Sequence, residues 1–200
     1  MTDTFMIALP LQGRTVVMFG GCDESARRTE QLMADGATVR VIWPSIGPAL
    51  RTLGETHGDK LTLCEREIDV ETDLASAFLG VMVPQDPALG AKLYAYAQPH
   101  QRLFCAIDQP DFCTFYHVAT VRRGPMRFGI SSGGVAPGLA KRFKEILEDA
   151  LTPEFTQFAE HWAKIRQAAP KGGRMEATSG LLKSFFLEIR WSTGGTTNQN

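Results

Sequence analysis

The sequence predicts an α/β fold: a parallel sheet covered by helices on both faces, then a small α+β part, then a helical C-terminal region. Three observations carry this expectation. Short β-branched or apolar runs at residues 15–19, 38–42, 61–65, 77–83 and 103–107 alternate with helical segments. The links between them are short, and strand, helix and strand in repetition give parallel neighbours. After residue 108 the alternation stops, and a hairpin followed by helices takes its place.

Each element has a local reason. Residues 6–11 are expected to add an edge segment before Gln12-Gly13-Arg14 turns into the first strand. Residues 15–19 (TVVMF) are short and apolar enough to be fully buried; Gly20-Gly21 breaks the run, and residues 24–33 read as a helix. Asp35-Gly36 stops that helix, and residues 38–42 (TVRVI) form a second strand that is β-branched more than alternating. Residues 48–56 are a short helical piece and 61–65 a third strand. The fourth strand lies within 77–83, and 86–97 carries Leu89, Leu93 and Ala97 at helical spacing before the fifth strand. Residues 120–123 and 126–131 join through Gly124-Pro125 as a hairpin. Ser131-Ser132-Gly133-Gly134 leads into a helix over 135–151 with Pro137 in its first turn. A helix over 154–168, a break at 170–174, a last helix over 180–190 and a polar tail complete the chain.

Composition narrows the classes. With 200 residues, 44% hydrophobic and 22% charged, the chain supports one good core and a smaller appendage. A net charge of -1 and a pI near 6.4 supply no basic field, so no nucleic-acid partner is expected. The four cysteines lack CxxC spacing and read as reduced, mostly buried thiols. The first eleven residues are too short and weakly flanked for a signal peptide, and no apolar run approaches the ~20 residues of a membrane span. A cytoplasmic protein without a membrane partner is therefore expected. His57, His100, His117 and His161 stand at no metal-ligand spacing, so no resident metal is expected.

The chemistry concentrates around three features. The glycines at 20 and 21 let the backbone approach a ligand, and the N–H groups that open the next helix suit a phosphate, which makes a dinucleotide the natural guest. The full glycine fingerprint would place glycines where Cys22 and Ser25 stand; the alternative is an ordinary strand-turn-helix unit. Asp108 ends the fifth strand, where a lone aspartate by default forms the turn before Gln109-Pro110. Ser131-Ser132-Gly133-Gly134 can cap the helix that follows.

The stretches FGGCDESARR (19–28), DGATVRVIWP (35–44), AIDQP (106–110) and above all VRRGPMRFGISSGGVAPGLAKR (121–142) resemble the precorrin-2 dehydrogenase and sirohydrochlorin ferrochelatase family of siroheme synthesis. The likeness covers about three quarters of the chain. It implies a Rossmann-like NAD-binding domain over 1–108, a dimerisation domain over 109–150, a helical region over 151–200, and a homodimer. It also implies NAD-dependent oxidation of precorrin-2 to sirohydrochlorin, and in many members insertion of ferrous iron as a substrate. By the same resemblance Asp108 is the catalytic residue. Gly20, Gly21, Cys22, Asp23, Glu24, Pro44 and Ser45 are the cofactor positions. Ser132 becomes a tetrapyrrole contact, and Arg122 or Arg123 a clamp for the substrate's carboxylates, adjacent strand residues facing opposite ways so that at most one enters the cleft. His117 stands where relatives carry an apolar residue, and is a candidate substrate or iron contact.

The chain departs from the family pattern in four places. Cys22 replaces a glycine, Ser25 the usual small packing residue, Pro84-Gln85 a Thr-Asp pair, and Gly90 an asparagine. No acid between Thr38 and Trp43 is available for a ribose hydroxyl. Two other readings stay open on these grounds: a chelatase-only or tetrapyrrole-binding relative with a degenerate NAD site, and a nucleotide-sensing module without chemistry.

Overall fold

The computed structural model describes residues 4–184. Its contacts fall into two compact units, Phe5–His117 and the chain from Val118 onward. In the first, β1 (Thr15–Phe19), β2 (Thr38–Ile42), β3 (Leu61–Cys64), β4 (Leu79–Met82) and β5 (Leu103–Ala106) form one sheet in the order β3-β2-β1-β4-β5. All four pairings are parallel. This is the doubly wound Rossmann-like order, with the direction of winding reversed between β1 and β4.

Side-chain alternation explains why the strands need no polar face. Val16, Met18, Val39, Val41 and Val81 pack on one side of the sheet, whereas Val17, Phe19, Ile42, Met82 and Phe104 pack on the other. Both sides are covered, so every strand residue of this kind is buried, each contributing about 1.5–3 kcal/mol. The covering helices are α1 (Asp23–Ala34), α2 (Pro48–Thr56), α3 (Val70–Ala75) and α4 (Pro87–Ala97). Asp69 caps α3 by accepting from the Thr72 N–H at 3.1 Å, and Asp86 caps α4 through the Leu89 N–H at 3.0 Å. One charge is buried with them: Asp73 on α3 accepts from both terminal nitrogens of Arg66, at 2.9 and 2.6 Å, and from the Asp69 N–H at 3.0 Å. Removing either partner of such a pair is costly, so it fixes the β3 to α3 connection.

Several boundaries differ from expectation. Residues 6–11 form no strand, and β4 starts only at Leu79, just after the Phe78 N–H bonds the Thr15 carbonyl at 2.8 Å and brings the chain into the sheet. Helix α3 is six residues long, too short to show a periodic stripe. Cys22 is exposed and Cys64 and Cys113 half-buried, leaving Cys105 as the fully buried thiol, so "mostly buried" does not hold. A thiol opening a helix at a strand's end lies on the rim, not in the core.

In the second unit β6 (Ala119–Arg123) and β7 (Met126–Ile130) form the expected antiparallel hairpin, with Val121 opposite Phe128. Helices α5 (Pro137–Ala150), α6 (Pro153–Ala168) and α7 (Arg174–Ser184) follow. Helix α7 begins where a break was expected, directly after Gly172-Gly173; the expected last helix over 180–190 extends beyond the described residues. Arg123 donates to the Leu151 and Glu148 carbonyls, each at 2.7 Å, and so caps the C-terminal end of α5 with a cation. Among the described residues no helix is long and apolar enough to cross a membrane.

Candidate functional site

The site is built on the turn after β1. Gly20 has φ +145°, and a Cβ there would lie 2.5 Å from Ser25 Oγ and 3.0 Å from Pro84 Cδ. Ser25 is fully buried, so it takes the place of the small residue that lets α1 pack on the strand. A Cβ on Gly21 would overlap the Ser45 carbonyl and stand 2.8 Å from the Trp43 ring. The Gly21 carbonyl accepts from the Gly47 N–H at 2.8 Å. Pro44 and Ser45, expected at the cofactor, are thus held against the glycine turn, at the end of the sheet where open α/β folds bind ligands.

Helix α1 starts at Cys22, which has extended backbone and makes no side-chain cap to it, unlike the capped α3 and α4. The Glu24 and Ser25 N–H groups that open α1 point at the Cys22 sulfur, a weak acceptor, and so remain suited to an anionic pyrophosphate. The Cys22 thiol turns back to Ser25 Oγ at 3.5 Å. Partial burial pushes it up, but hydrogen bonds from the Ser25 hydroxyl and from the Ser25 and Glu24 N–H groups prevail and leave it below its ordinary value.

Asp23 and Glu24 put acids in this first turn, which would repel a phosphate. Glu24 is offset, because Arg27 grips its carboxylate at 2.7 and 2.6 Å and Arg28 adds a bond at 2.7 Å. The Arg27 hydrogen bond, against a small burial effect and with the charge of Arg28, holds Glu24 down at about 2. Taken together, the open helix start, the close-approach glycines and the offset acid fit a dinucleotide.

One contributor escaped the sequence. Glu65, directly after β3, accepts from the Ile46 N–H at 3.1 Å and pairs with Arg51 at 2.8 Å, so it shapes the loop that presents Pro44 and Ser45. Arg51 in turn holds its carboxyl below the usual range. Its only sequence signal is an acid at a strand end, and the pairing of β2 with β3 is what brings it to the rim.

Asp108 lies just beyond β5, past the last sheet bond, which the Ile107 N–H gives to the Met82 carbonyl at 2.8 Å. It is exposed, with φ +59°, in a turn closed by the Gln109 N–H on the Ala106 carbonyl at 3.2 Å. It forms the turn, and the residue stands exposed just beyond the carboxyl end of β5. Pro84 and Gly90 both pack against the loop that follows Asp108. Gln109 Nε2 donates to the Pro84 carbonyl at 3.2 Å, and a Cβ on Gly90 would lie 2.9 Å from the Phe112 ring. Glycine at 90 is what lets the Asp108 loop seat on α4.

His117 closes the first unit. Its ring meets Phe115 edge-on at 5.1 Å. The residue keeps an exposed edge, yet crowding of the ring, with the Arg28 charge second, pushes it down to about 4, so the imidazole is neutral at neutral pH. The unfolded chain, with an ordinary value of 6.5, binds the proton that the folded chain refuses, so stability falls as pH drops from about 6.5 toward 4. His117→Phe is expected to flatten that acid limb, checked by urea midpoints at neutral pH and at about pH 5.

Ser132 and Arg122 belong to the second unit. Ser132 Oγ accepts from the Ala136 N–H at 3.2 Å, and Ser131 Oγ from the Gly133 N–H at 3.1 Å, so the serine pair braces the entry to α5. Gly133 and Gly134 have φ +61° and +81°, conformations that favour glycine. Arg122 is exposed, on the side of β6 opposite Arg123. Among the described residues no three His, Cys, Asp or Glu side chains gather as a metal cage.

The profile of a family described as putative NAD(P)-binding matches residues 7–119. A siroheme synthase of Neisseria meningitidis serogroup C is 30% identical over 164 residues, 82% of this chain and 34% of the relative. Another, from Pseudomonas entomophila, is 32% identical over 155 residues, 77% of this chain and 32% of the relative. The chain thus spans about a third of the length of these relatives. A solved structure described as SirC, precorrin-2 dehydrogenase, superimposes with a TM-score of 0.76 over 90% of this chain and 89% of that one, at 23% identity, and so shares the fold. The profile lies on the unit that carries the glycine turn, the open start of α1 and Asp108, and on that footing the chain belongs to the putative NAD(P)-binding family, with siroheme synthases as its relatives.

Proposed function

We propose that this chain oxidises precorrin-2 to sirohydrochlorin with NAD in siroheme synthesis. One observation carries the reading: an exposed carboxylate, Asp108, and an uncapped glycine-turn helix start share the carboxyl edge of one parallel sheet. NAD, when bound, supplies the hydride acceptor. The Gly20-Gly21 turn and the opening N–H groups of α1 hold its pyrophosphate, and Pro44 and Ser45 border its ribose. Asp108 takes the proton that leaves the macrocycle as the hydride departs. Arg122 and Ser132 are the substrate contacts of the second unit, Arg122 pairing with ring carboxylates. Ferrous iron is a substrate in the same reading, since its insertion displaces pyrrole protons that the same carboxylate accepts.

The protein works as a cytoplasmic homodimer. Support for the dimer comes from α5, which has no buried residue and exposes Leu139 and Phe143 four residues apart, with Val135 just ahead of them. The test is anaerobic incubation of the purified protein with precorrin-2 and NAD, following the tetrapyrrole and NADH absorbance together. The two should change in step. Tetrapyrrole binding without NAD binding would replace this reading with the chelatase-only one, and nucleotide binding without any tetrapyrrole would replace it with a sensing module.

A further inference from the structure

The chain leaves β5 at Ala106, turns through Asp108 and a single 3-10 turn (Pro110–Phe112), and doubles back so that Cys113 forms an antiparallel bridge with Cys105. Thr114 fixes the register: its N–H donates to the Phe104 carbonyl at 2.8 Å, and its hydroxyl accepts from the Phe104 N–H at 2.8 Å. Directly opposite residues of such a pair have Cβ atoms about 4.5–5.5 Å apart, which overlaps the upper end of what a disulfide spans. The two sulfurs already lie 3.5 Å apart. Closing to a bond of about 2 Å needs side-chain rotation and a slight tightening of the loop.

The pair is asymmetric in a useful way. Cys105 is buried and Cys113 half-buried, so a reagent reaches Cys113 first. The hydrogen bond between them, with burial, pushes the Cys105 thiol up, while the same hydrogen bond draws Cys113 below its ordinary value against its own burial. Cys113 Sγ also faces the Ala106 carbonyl at 3.2 Å and the Gln109 carbonyl at 3.4 Å. These are the peptides that bracket Asp108.

We propose that Cys105 and Cys113 form a reversible dithiol–disulfide pair, oxidised by a low-molecular-weight disulfide such as oxidised glutathione, which clamps the turn carrying Asp108. The Cys113 thiolate attacks one sulfur of the small disulfide, whose S–S bond breaks and releases one thiol. Cys105 then gives up its proton and attacks the Cys113 sulfur, releasing the second thiol. Two S–H bonds are lost and one S–S bond is formed, and the two electrons reduce the small disulfide to two thiols. Oxidation also withdraws the Cys113 sulfur as a donor to the Ala106 and Gln109 carbonyls, so the turn must readjust. The covalent step stands independently of the proposed function; only the catalytic role of the clamped Asp108 rests on that reading.

The test uses the full chain equilibrated across a series of oxidised to reduced glutathione ratios, acid-quenched and digested with trypsin. Arg102 and Arg122 bound one peptide that contains both cysteines. That peptide is expected to lose two hydrogens, to regain them with dithiothreitol, and to behave alike in a Cys22→Ser, Cys64→Ser background. A persistent glutathione adduct on Cys113 with Cys105 free, or links to Cys22 or Cys64 instead, would overturn the pair. Amide hydrogen exchange over residues 108–112 is expected to slow at least about tenfold in the oxidised form. Unchanged exchange would overturn the clamp. Neither readout needs NAD or tetrapyrrole, so failure here is distinguishable from failure of the proposed function.

Discussion

Asp108→Asn is expected to lower the rate of precorrin-2 oxidation by about 10²–10⁴-fold, the usual worth of a positioned base, with NAD affinity unchanged. Asparagine keeps the shape and tolerates the left-handed backbone, so the change isolates the charge. Asp108→Gly sharpens the test. A non-glycine residue at φ +59° carries a conformational cost of about 1 kcal/mol, so the glycine variant should lose the same activity while its urea midpoint holds or rises. Activity and stability then move in opposite directions, which a merely structural aspartate would not produce. Turnover by Asp108→Asn within a few-fold of the parent would remove this residue from the chemistry.

Gly21→Ala is expected to have the second large effect. Its new methyl would collide with the Ser45 carbonyl, a backbone atom that no rotamer change can move aside. The loop after β2 must shift and weaken the Gly47 N–H bond to the Gly21 carbonyl, at a cost of about 1–3 kcal/mol. Because that loop carries Pro44 and Ser45, NAD affinity should fall at least about tenfold, read by calorimetric titration alongside a urea melt. A variant that binds NAD as the parent does would show that the loop contact plays no part in the cofactor site. Gly13→Ala is a useful contrast: it has φ +70° but nothing within 4 Å, so it should cost stability alone.

The strands and most helices were legible because both signals are local. Residues 16–19 are apolar throughout and 38–42 are β-branched around the single Arg40, close to what burial on two faces asks for. The hairpin showed itself through Gly124-Pro125. What the sequence hid depends on pairing across the sheet. Glu65 reaches the loop after β2 only because β3 lies beside β2, and nothing within ten residues of it says so. Asp108 was visible by its place after the fifth strand, yet its left-handed backbone was not. Ser132 showed its two candidate roles in sequence, and the Ala136 N–H on its hydroxyl gives one of them a physical form. Cys105 and Cys113 looked like scattered apolar thiols; eight residues of separation conceal a reversal that puts their sulfurs side by side.

The seating of Gly90 under Phe112, with Gln109 bonded to Pro84, has a consequence for how this lineage can diverge. These four positions form a coupled set, so drift at one constrains the rest. A side chain introduced at 90 would press on the ring at 112, so Gly90→Ala should cost stability in the parent and less beside a smaller residue at 112.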